Sequence, residues 1–467
     1  MKNNKNLIAP HTATAMIEPG LQQLAPEAGE PVTSNISHIV RRVGNRLMWL
    51  LVPLYFCAMM DRGNISFAAM SMNKEIGLTS EMFGMGIGIM FFAYAIFEVP
   101  SNLLLASIGA RKTLTRIAIL WGIATILMAF VQGPLTFYTF RAFLGAAEAG
   151  LFPGVMLYLT YWFPVSYRAR YNAIFNFAIP MSYVVAAIIS GSILTLDGAF
   201  GLAGWKWLFI LEGLPPIVLG VWGWFYLTDR PADAKWLSPK ERSDLESTIT
   251  KESALVGPAI RRSTKMGEAL RSLGSPLVLL LGVVNIGVLG GLTALPYWLP
   301  QILRSYGLSP FNIGLASAIP PVVGMAGMIV SSIWSDRHGQ RALHTAIAFV
   351  ISAAGFMFIS FASSLTTVMI GATIANIGVF SAQAIFWTIP QSFLRRDIAP
   401  GALAIVSMIG TVGGGSVLPW LFGWLRDHTN SFAMGFEVIA GVSIAGALLI
   451  VSIGRSVQCS ISELKAQ

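Results

Sequence analysis

Runs of about 20 apolar residues, each long enough to cross a bilayer as a helix, recur along the whole chain. They lie near 47–69, 83–106, 114–132, 135–160, 171–195 and 207–228, and resume after a charged stretch near 276–302, 312–334, 342–362, 366–389, 401–425 and 432–454. The pattern predicts an all-α membrane protein of twelve transmembrane helices with both chain ends on one side. Between the sixth and seventh runs, Asp229 to Ser275 is rich in charge, so the chain divides six spans plus six. The expected organisation is a flexible tail over 1–45, a six-helix half over 46–228, a linker over 229–275, a second half over 276–455 and a short tail over 456–467.

Composition agrees with this class: 55% of the residues are hydrophobic and 11% charged, against roughly 25% charged in an ordinary globular domain. The net charge of +9 does not point to nucleic acid, because the lysines and arginines fall between the apolar runs rather than along one basic face. They are distributed by topology. One set of connections holds Arg41, Arg42 and Arg46, then Arg111, Lys112 and Arg116, Arg168 and Arg170, Arg337 and Arg341, Arg395 and Arg396, and the linker. The other set holds little beyond Lys74, Lys206, Arg304 and Arg426. Basic residues are retained on the cytoplasmic side, so both termini and the linker are expected there. Residues 1 to about 37 are polar and carry Pro10, Pro19, Pro26 and Pro31 without an apolar signal core, which suits a cytoplasmic tail.

Enzyme chemistry finds no support. Cys57 and Cys459 have no ligand spacing, and His11, His38, His338, His344 and His428 lie in tails or near span ends. No nucleophile, base or metal cluster is visible, so no cofactor is expected, and a functional monomer is the default. A weak repeat supports two related halves: Gly109-Ala-Arg111-Lys112 follows the second run, and Asp336-Arg337-His338-Gly339-Gln340-Arg341 follows the eighth. Paired six-helix halves around a central site are one architecture of secondary transporters.

With this plan, Arg141-Ala-Phe-Leu-Gly145-Ala-Ala-Glu148-Ala-Gly-Leu-Phe-Pro153 resembles the major facilitator superfamily. Met60-Asp61-Arg62-Gly63-Asn64-Ile65, Glu98-Val-Pro100-Ser101-Asn102, Gly204-Trp205-Lys206-Trp207-Leu-Phe-Ile-Leu-Glu212-Gly213 and Thr228-Asp229-Arg230-Pro231 resemble its anion:cation symporter family, within it the bacterial tartrate, phthalate and hydroxyphenylacetate permeases. The resemblance runs from about Arg46 to Arg455. It implies the two-by-six fold and carriage of a small organic anion. The chain departs from the pattern at the first hairpin, where Ala106 and Ser107 stand in place of the usual acid although Asp336 is present in the second half. In the eleventh span Ser407 and Thr411 stand where relatives carry asparagines.

Charges inside apolar runs are the candidate chemistry, because an ionised group at the centre of a membrane helix costs about 2.5–3.5 kcal/mol. Asp61 lies fourteen residues from Leu47, about 21 Å along the helix, so it is intramembrane and needs a partner. Arg62 projects about 100° away from it and cannot pair with it face to face. Its planar fork suits a substrate carboxylate or, equally in kind, an interhelical ion pair with another acid. Glu148 lies two turns deeper than Arg141 on one stripe, either as a proton-coupling carboxyl or in a static pair with Arg141 or another base. The resemblance favours coupling, matches Tyr94 and Trp387 to substrate-contacting aromatics of relatives and Arg141 to an arginine of theirs that gates or stabilises as readily as it binds, and makes Ser407 an altered substrate contact. Asn176, Tyr297 and Gln383 are further polar candidates, with helix-to-helix hydrogen bonds as the alternative. Glu98 and Glu212 read as anchors of helix ends.

The resulting expectation is a proton-coupled symporter that imports a small carboxylate by alternating access, with Asp61 and Glu148 taking up protons and Arg62 binding the anion. A transporter-like receptor that binds an anion without moving it, and an exporter of amphipathic compounds, stand as alternatives.

Overall fold

The computed structural model describes residues 32–255, 275–393 and 399–466. Twelve helices are long and apolar enough to cross a membrane: α1 (Ile36–Glu75), α2 (Ser80–Leu105), α3 (Ala110–Phe130), α4 (Pro134–Trp162), α5 (Val165–Leu196), α6 (Gly204–Tyr226), α7 (Pro276–Ser305), α8 (Pro310–His338), α9 (Arg341–Ser360), α10 (Leu365–Pro390), α11 (Ala402–Thr429) and α12 (Ala433–Gly454). Arg395 and Arg396, and Arg261, Arg262 and Lys265 of the linker, lie outside the described residues.

The first helix starts well before the apolar run at Leu47, since it is continuous from Val32. Residues 36–46 are amphipathic rather than apolar throughout: Ile39, Val40 and Val43 are buried while Arg41 and Arg42 are exposed. A stripe at helical spacing buries one face of a surface helix and escapes a search for uniformly apolar windows. The last fourteen residues of the expected tail, 32–45, are therefore helix. At the other end the final helix continues past its apolar part to Ala466.

Between α6 and α7, a helix at Pro239–Leu255 is fastened to the first half. Ser238 and Glu241 cap its start reciprocally, Ser238 N donating to Glu241 at 2.7 Å and Glu241 N to Ser238 Oγ at 3.2 Å. The bond from Ser238 N, with smaller help from the Ser238 hydroxyl and from Arg42, holds the Glu241 carboxyl below the usual carboxylate range. Arg42 meets Glu241 at 3.2 Å and donates to Trp236 O at 2.9 Å. Glu252 accepts from Val165 N and from Ser166 Oγ at the start of α5.

Three spans are interrupted, each four residues before a proline or next to that point. In α4 the helix stops at Glu148 and restarts at Leu151, ahead of Pro153. In α5 it breaks after Asn176, ahead of Pro180, and in α10 after Phe386, ahead of Pro390. A proline has no N–H for the carbonyl four residues back, and its ring crowds that carbonyl. Gly150, at φ 88°, supplies the left-handed residue that the α4 break needs. α4 and α10 hold the same place in their halves, so the break is part of the repeat. α11 carries a π-helical stretch over Thr411–Val417, against Phe91 of α2 and Ile286 of α7.

The halves meet on the side away from the linker. There α2 packs on α11, α5 on α8 and α1 on α7. Backbones approach so closely that a Cβ on Gly84 would lie 2.2 Å from Pro419 O and one on Gly314 2.4 Å from Ala187 O. Asp427 of α11 caps the start of α2 across the interface, accepting from Ser80 N at 3.1 Å and Glu81 N at 2.7 Å. Trp420 donates to Glu81 at 3.3 Å, and Phe83 meets Trp298 edge-on at 5.6 Å.

Asp427 is thus a latch on this closed face. Asp427→Ala removes two charge-assisted bonds, about 1–3 kcal/mol, and is expected to raise the open population of this face about tenfold. The rate at which a thiol reagent modifies a cysteine placed at Ser416, buried beneath the contact, reads that population. No change in rate would remove the latch.

Candidate functional site

All four buried charged side chains among the described residues belong to the first half: Asp61, Arg141, Glu148 and Glu212. They form two clusters, because neighbouring residues on α1 point to different places.

Arg62 faces Glu148 across the bundle. Its Nε donates to Glu148 Oε1 at 2.8 Å and its Nη2 lies 2.7 Å from the same oxygen. The break in α4 puts Glu148 at the end of a helical segment, where the backbone turns away and leaves the carboxyl reaching toward α1. Glu148 Oε2 is buried without a partner. Arg62 stays 21% exposed at the side chain, against 1% for Glu148. Rings flank it: its guanidinium carbon is 5.1 Å from the Tyr94 ring centre and 5.6 Å from that of Phe91. Tyr55, Tyr183 and Tyr297 lie close enough to feel its charge.

Arg141 lies two turns nearer the closed face and is 0% exposed. Its Nε reaches Gly86 O at 3.4 Å, while Nη1 and Nη2 are buried without partners. Asp61 and Glu148 are near enough to act on it electrostatically, as is Tyr297, which meets Phe91 edge-on at 6.5 Å. The fall in exposure from Arg62 to Arg141 points the opening of the site toward the linker side.

Asp61 turns the other way, into the first half. It accepts from Asn64 Nδ2 at 2.7 Å, Trp121 Nε1 at 2.9 Å and Thr125 Oγ at 3.1 Å. Asn64 and Trp121 are committed N–H donors, while Thr125 has one hydroxyl proton to share between Asp61 and Trp121 O, also at 3.1 Å. Glu212 lies in this cluster and not at a helix end: it is 3% exposed and accepts from Ser190 Oγ at 2.7 Å. The expectation of an end anchor fails because α6 starts at Gly204, which places Glu212 about 12 Å into the helix. Glu98 sits one turn beyond Tyr94, part-buried and within electrostatic reach of Arg62.

The second half offers neutral groups. Gln383 Oε1 is buried without a partner. Trp387 sits at the α10 break, edge-on to Phe386 at 5.4 Å and part-buried against the apolar core of that half. Ser407 is part-buried on α11 beside Val406, whose carbonyl accepts from Asn285 at 3.1 Å. Asn176 is spent locally, donating to Asn172 O at 2.8 Å. A cavity between the halves, near the closed face, is lined by Phe67, Tyr183, Leu295, Ser317, Asn376 and Phe380.

The structure therefore gathers Arg62, Glu148, Tyr94, Arg141 and Tyr297, and sets Asp61 apart in a second cluster with Glu212. Phe91, Asn64, Trp121 and Thr125 were not marked by sequence. Of these only Asn64, three residues after Asp61 and so on the same helix face, was there to be found.

Residues 51–419 match the Major Facilitator Superfamily. A protein of Agrobacterium vitis called "Putative tartrate transporter" is 41% identical over 420 residues, covering 90% of this chain and 95% of the relative. A "Quinolone resistance transporter" of Acinetobacter baumannii is 34% identical over 412 residues, covering 88% and 94%. Among solved structures, the inward open conformation of the xylose transporter XylE from E. coli superposes with a TM-score of 0.70 at 14% identity, covering 88% of this chain and 95% of that one. The fold is that of a multi-pass membrane transporter rather than an enzyme. The chain belongs to the major facilitator superfamily.

Proposed function

We propose that this transporter is a proton-coupled symporter that imports a small organic anion, with tartrate-like carboxylates the first to test because the 41% identical relative carries that name. One observation carries the reading: a partly exposed arginine, Arg62, is ion-paired with a single buried oxygen of Glu148, donating Nε–H to it at 2.8 Å with Nη2 at 2.7 Å. An ionised Glu148 competes with a substrate carboxylate for the same fork. A protonated Glu148 releases it. Proton and anion then bind together and leave together, and the paired state with Glu148 is the empty one.

With the basic connections in the cytoplasm, the linker side is the inside, and the present state is closed outside and open inward. From outside, opening of the α2–α11 contact would uncover Arg141, whose unpartnered Nη1 and Nη2 draw anions toward Arg62. Protonation of Glu148 then frees Arg62, and the halves rock to expose the site inward. Coupling is needed because moving a monoanion inward against a potential negative inside costs about 2.3 kcal/mol per 100 mV. Tyr94 and Tyr297 offer hydroxyls and ring faces to the body of a hydroxy acid, and Gln383, Trp387 and Ser407 approach it from the second half.

Uptake of radiolabelled carboxylates into proteoliposomes under an imposed pH gradient tests this. Accumulation should require the gradient and collapse with uncoupler; uptake indifferent to both would sink proton symport. The likeness to a quinolone resistance transporter favours a second reading, export of amphipathic compounds. Net flux in right-side-out vesicles separates the two.

Arg62→Lys keeps the charge and loses the planar fork. The apparent KM for the anion should rise about 10–100-fold, some 1.4–3 kcal/mol of binding, with the protein still folded and inserted. An unchanged KM would take Arg62 out of the binding site.

A further inference from the structure

The corner where α1, α6 and the linker meet holds a cation that the surrounding chain leaves unanswered. Arg42, Asn45, Arg46 and Trp49 follow one another at i, i+3, i+4 and i+7, so they share one face of α1. With Tyr226 at the end of α6 and Trp236 of the linker they line an open hollow of about 360 Å³. A water takes roughly 30 Å³ of liquid, so the hollow admits a much larger guest.

Arg42 is committed within this corner, donating Nη1 to Glu241 at 3.2 Å and Nη2 to Trp236 O at 2.9 Å. Arg46 is held by rings instead. Its guanidinium carbon lies 4.1 Å from the Tyr226 ring centre and 4.8 Å from that of Trp236. Those rings are fixed in turn, Trp236 stacking on the buried Trp162 at 5.6 Å and Tyr226 meeting Trp222 at 4.9 Å. The hydrogen bonding of this well-placed cation is poor. Its Nη2 reaches Tyr226 O only at 3.5 Å, and its Nε is buried without an acceptor, as is Nε1 of Trp236. Among the described residues no carboxyl pairs with Arg46: Glu241 is taken by Arg42, and Asp229 accepts from Arg111 N at 2.8 Å.

The exposed neighbours of the hollow face lipid. Trp49 is 69% exposed although it lies in the apolar run of α1, and Trp222 and Phe225 are exposed on the last turns of α6. Aromatic rings at the ends of membrane helices mark the headgroup level, and basic pockets there attract anionic headgroups. A free anion would use the guanidinium and leave Trp49 bare, whereas a lipid engages both. We propose that this hollow binds the phosphodiester of an anionic phospholipid of the linker-side leaflet, with Arg46 and Asn45 donating to the phosphate and the acyl chains passing Trp49. The site is separate from the Arg62–Glu148 pair and holds whatever the transporter carries.

Titration of lipids into the delipidated full-length protein in detergent, read by native mass spectrometry, tests this. Phosphatidylglycerol should bind at least about tenfold more tightly than phosphatidylcholine. Arg46→Gln and Asn45→Glu should each weaken phosphatidylglycerol about tenfold or more; Asn45 is exposed, so that variant stays folded whatever becomes of the other. Arg41→Gln removes the same charge from the same turn, outside the hollow, and should leave the affinity within about twofold. Equal binding of the two lipids would overturn the proposal. So would equal losses in Arg41→Gln and Arg46→Gln, which would reduce the effect to general surface charge. Displacement of bound phosphatidylglycerol by inorganic phosphate or glycerol 3-phosphate would overturn it too, by assigning the hollow to a free phosphate.

Discussion

Glu148→Gln is expected to abolish accumulation while sparing exchange. The side chain keeps its shape, and its carbonyl oxygen can still accept from Arg62, so the site remains assembled. What disappears is the charge that lets Glu148 compete with substrate for the arginine fork. Arg62 is then permanently available, and labelled anion should swap across the membrane down its own gradient. A two-unit pH gradient is worth roughly 2.7 kcal/mol per proton, about a hundredfold of accumulation. Wild-type vesicles should approach that ratio with one coupled proton, and the variant should stay near unity. Normal accumulation by the variant would make Glu148 structural.

Gly314→Val should trap the protein with its face away from the linker open. A Cβ at 314 would lie 2.4 Å from the Ala187 carbonyl oxygen, and backbone on the far side cannot step aside as a flexible side-chain end would. Overpacking of this kind costs about 1–3 kcal/mol, a factor of about 5–150 between two states. Here the bundle can relieve it by parting α5 from α8 rather than by unfolding. Uptake should fall more than about tenfold with little change in expression or melting temperature. Spin labels on the two helices at this face should move apart. Loss of transport at wild-type spacing would point to damage elsewhere.

How much of this was legible in the sequence differs by level. The twelve spans were, because a bilayer demands long apolar runs whatever the packing. The start of α1 was not, since residues 36–46 satisfy their apolar face against the protein and show a 3.6-residue stripe instead. That Asp61 and Arg62 part company follows from helix geometry alone, and the structure sends one to Trp121 and the other to Glu148. Which acid would meet Arg62 could not be read, as 86 positions separate it from Glu148 and only packing decides. Glu212 was misplaced because depth was judged from a span boundary uncertain by a turn of helix. The breaks at Glu148, Asn176 and Phe386 were open to reading from Pro153, Pro180 and Pro390, whose missing N–H groups mark them.

The confinement of buried charge, among the described residues, to the first six helices has an evolutionary consequence. If the energy-converting machinery resides there, the second six can change their neutral lining without disturbing the drive. Gene duplication followed by substitution around Gln383, Trp387 and Ser407 then yields carriers of different cargo on one engine. Chimeras that join the first half of this chain to the second half of a relative should inherit their cargo from the second parent and their power source from the first.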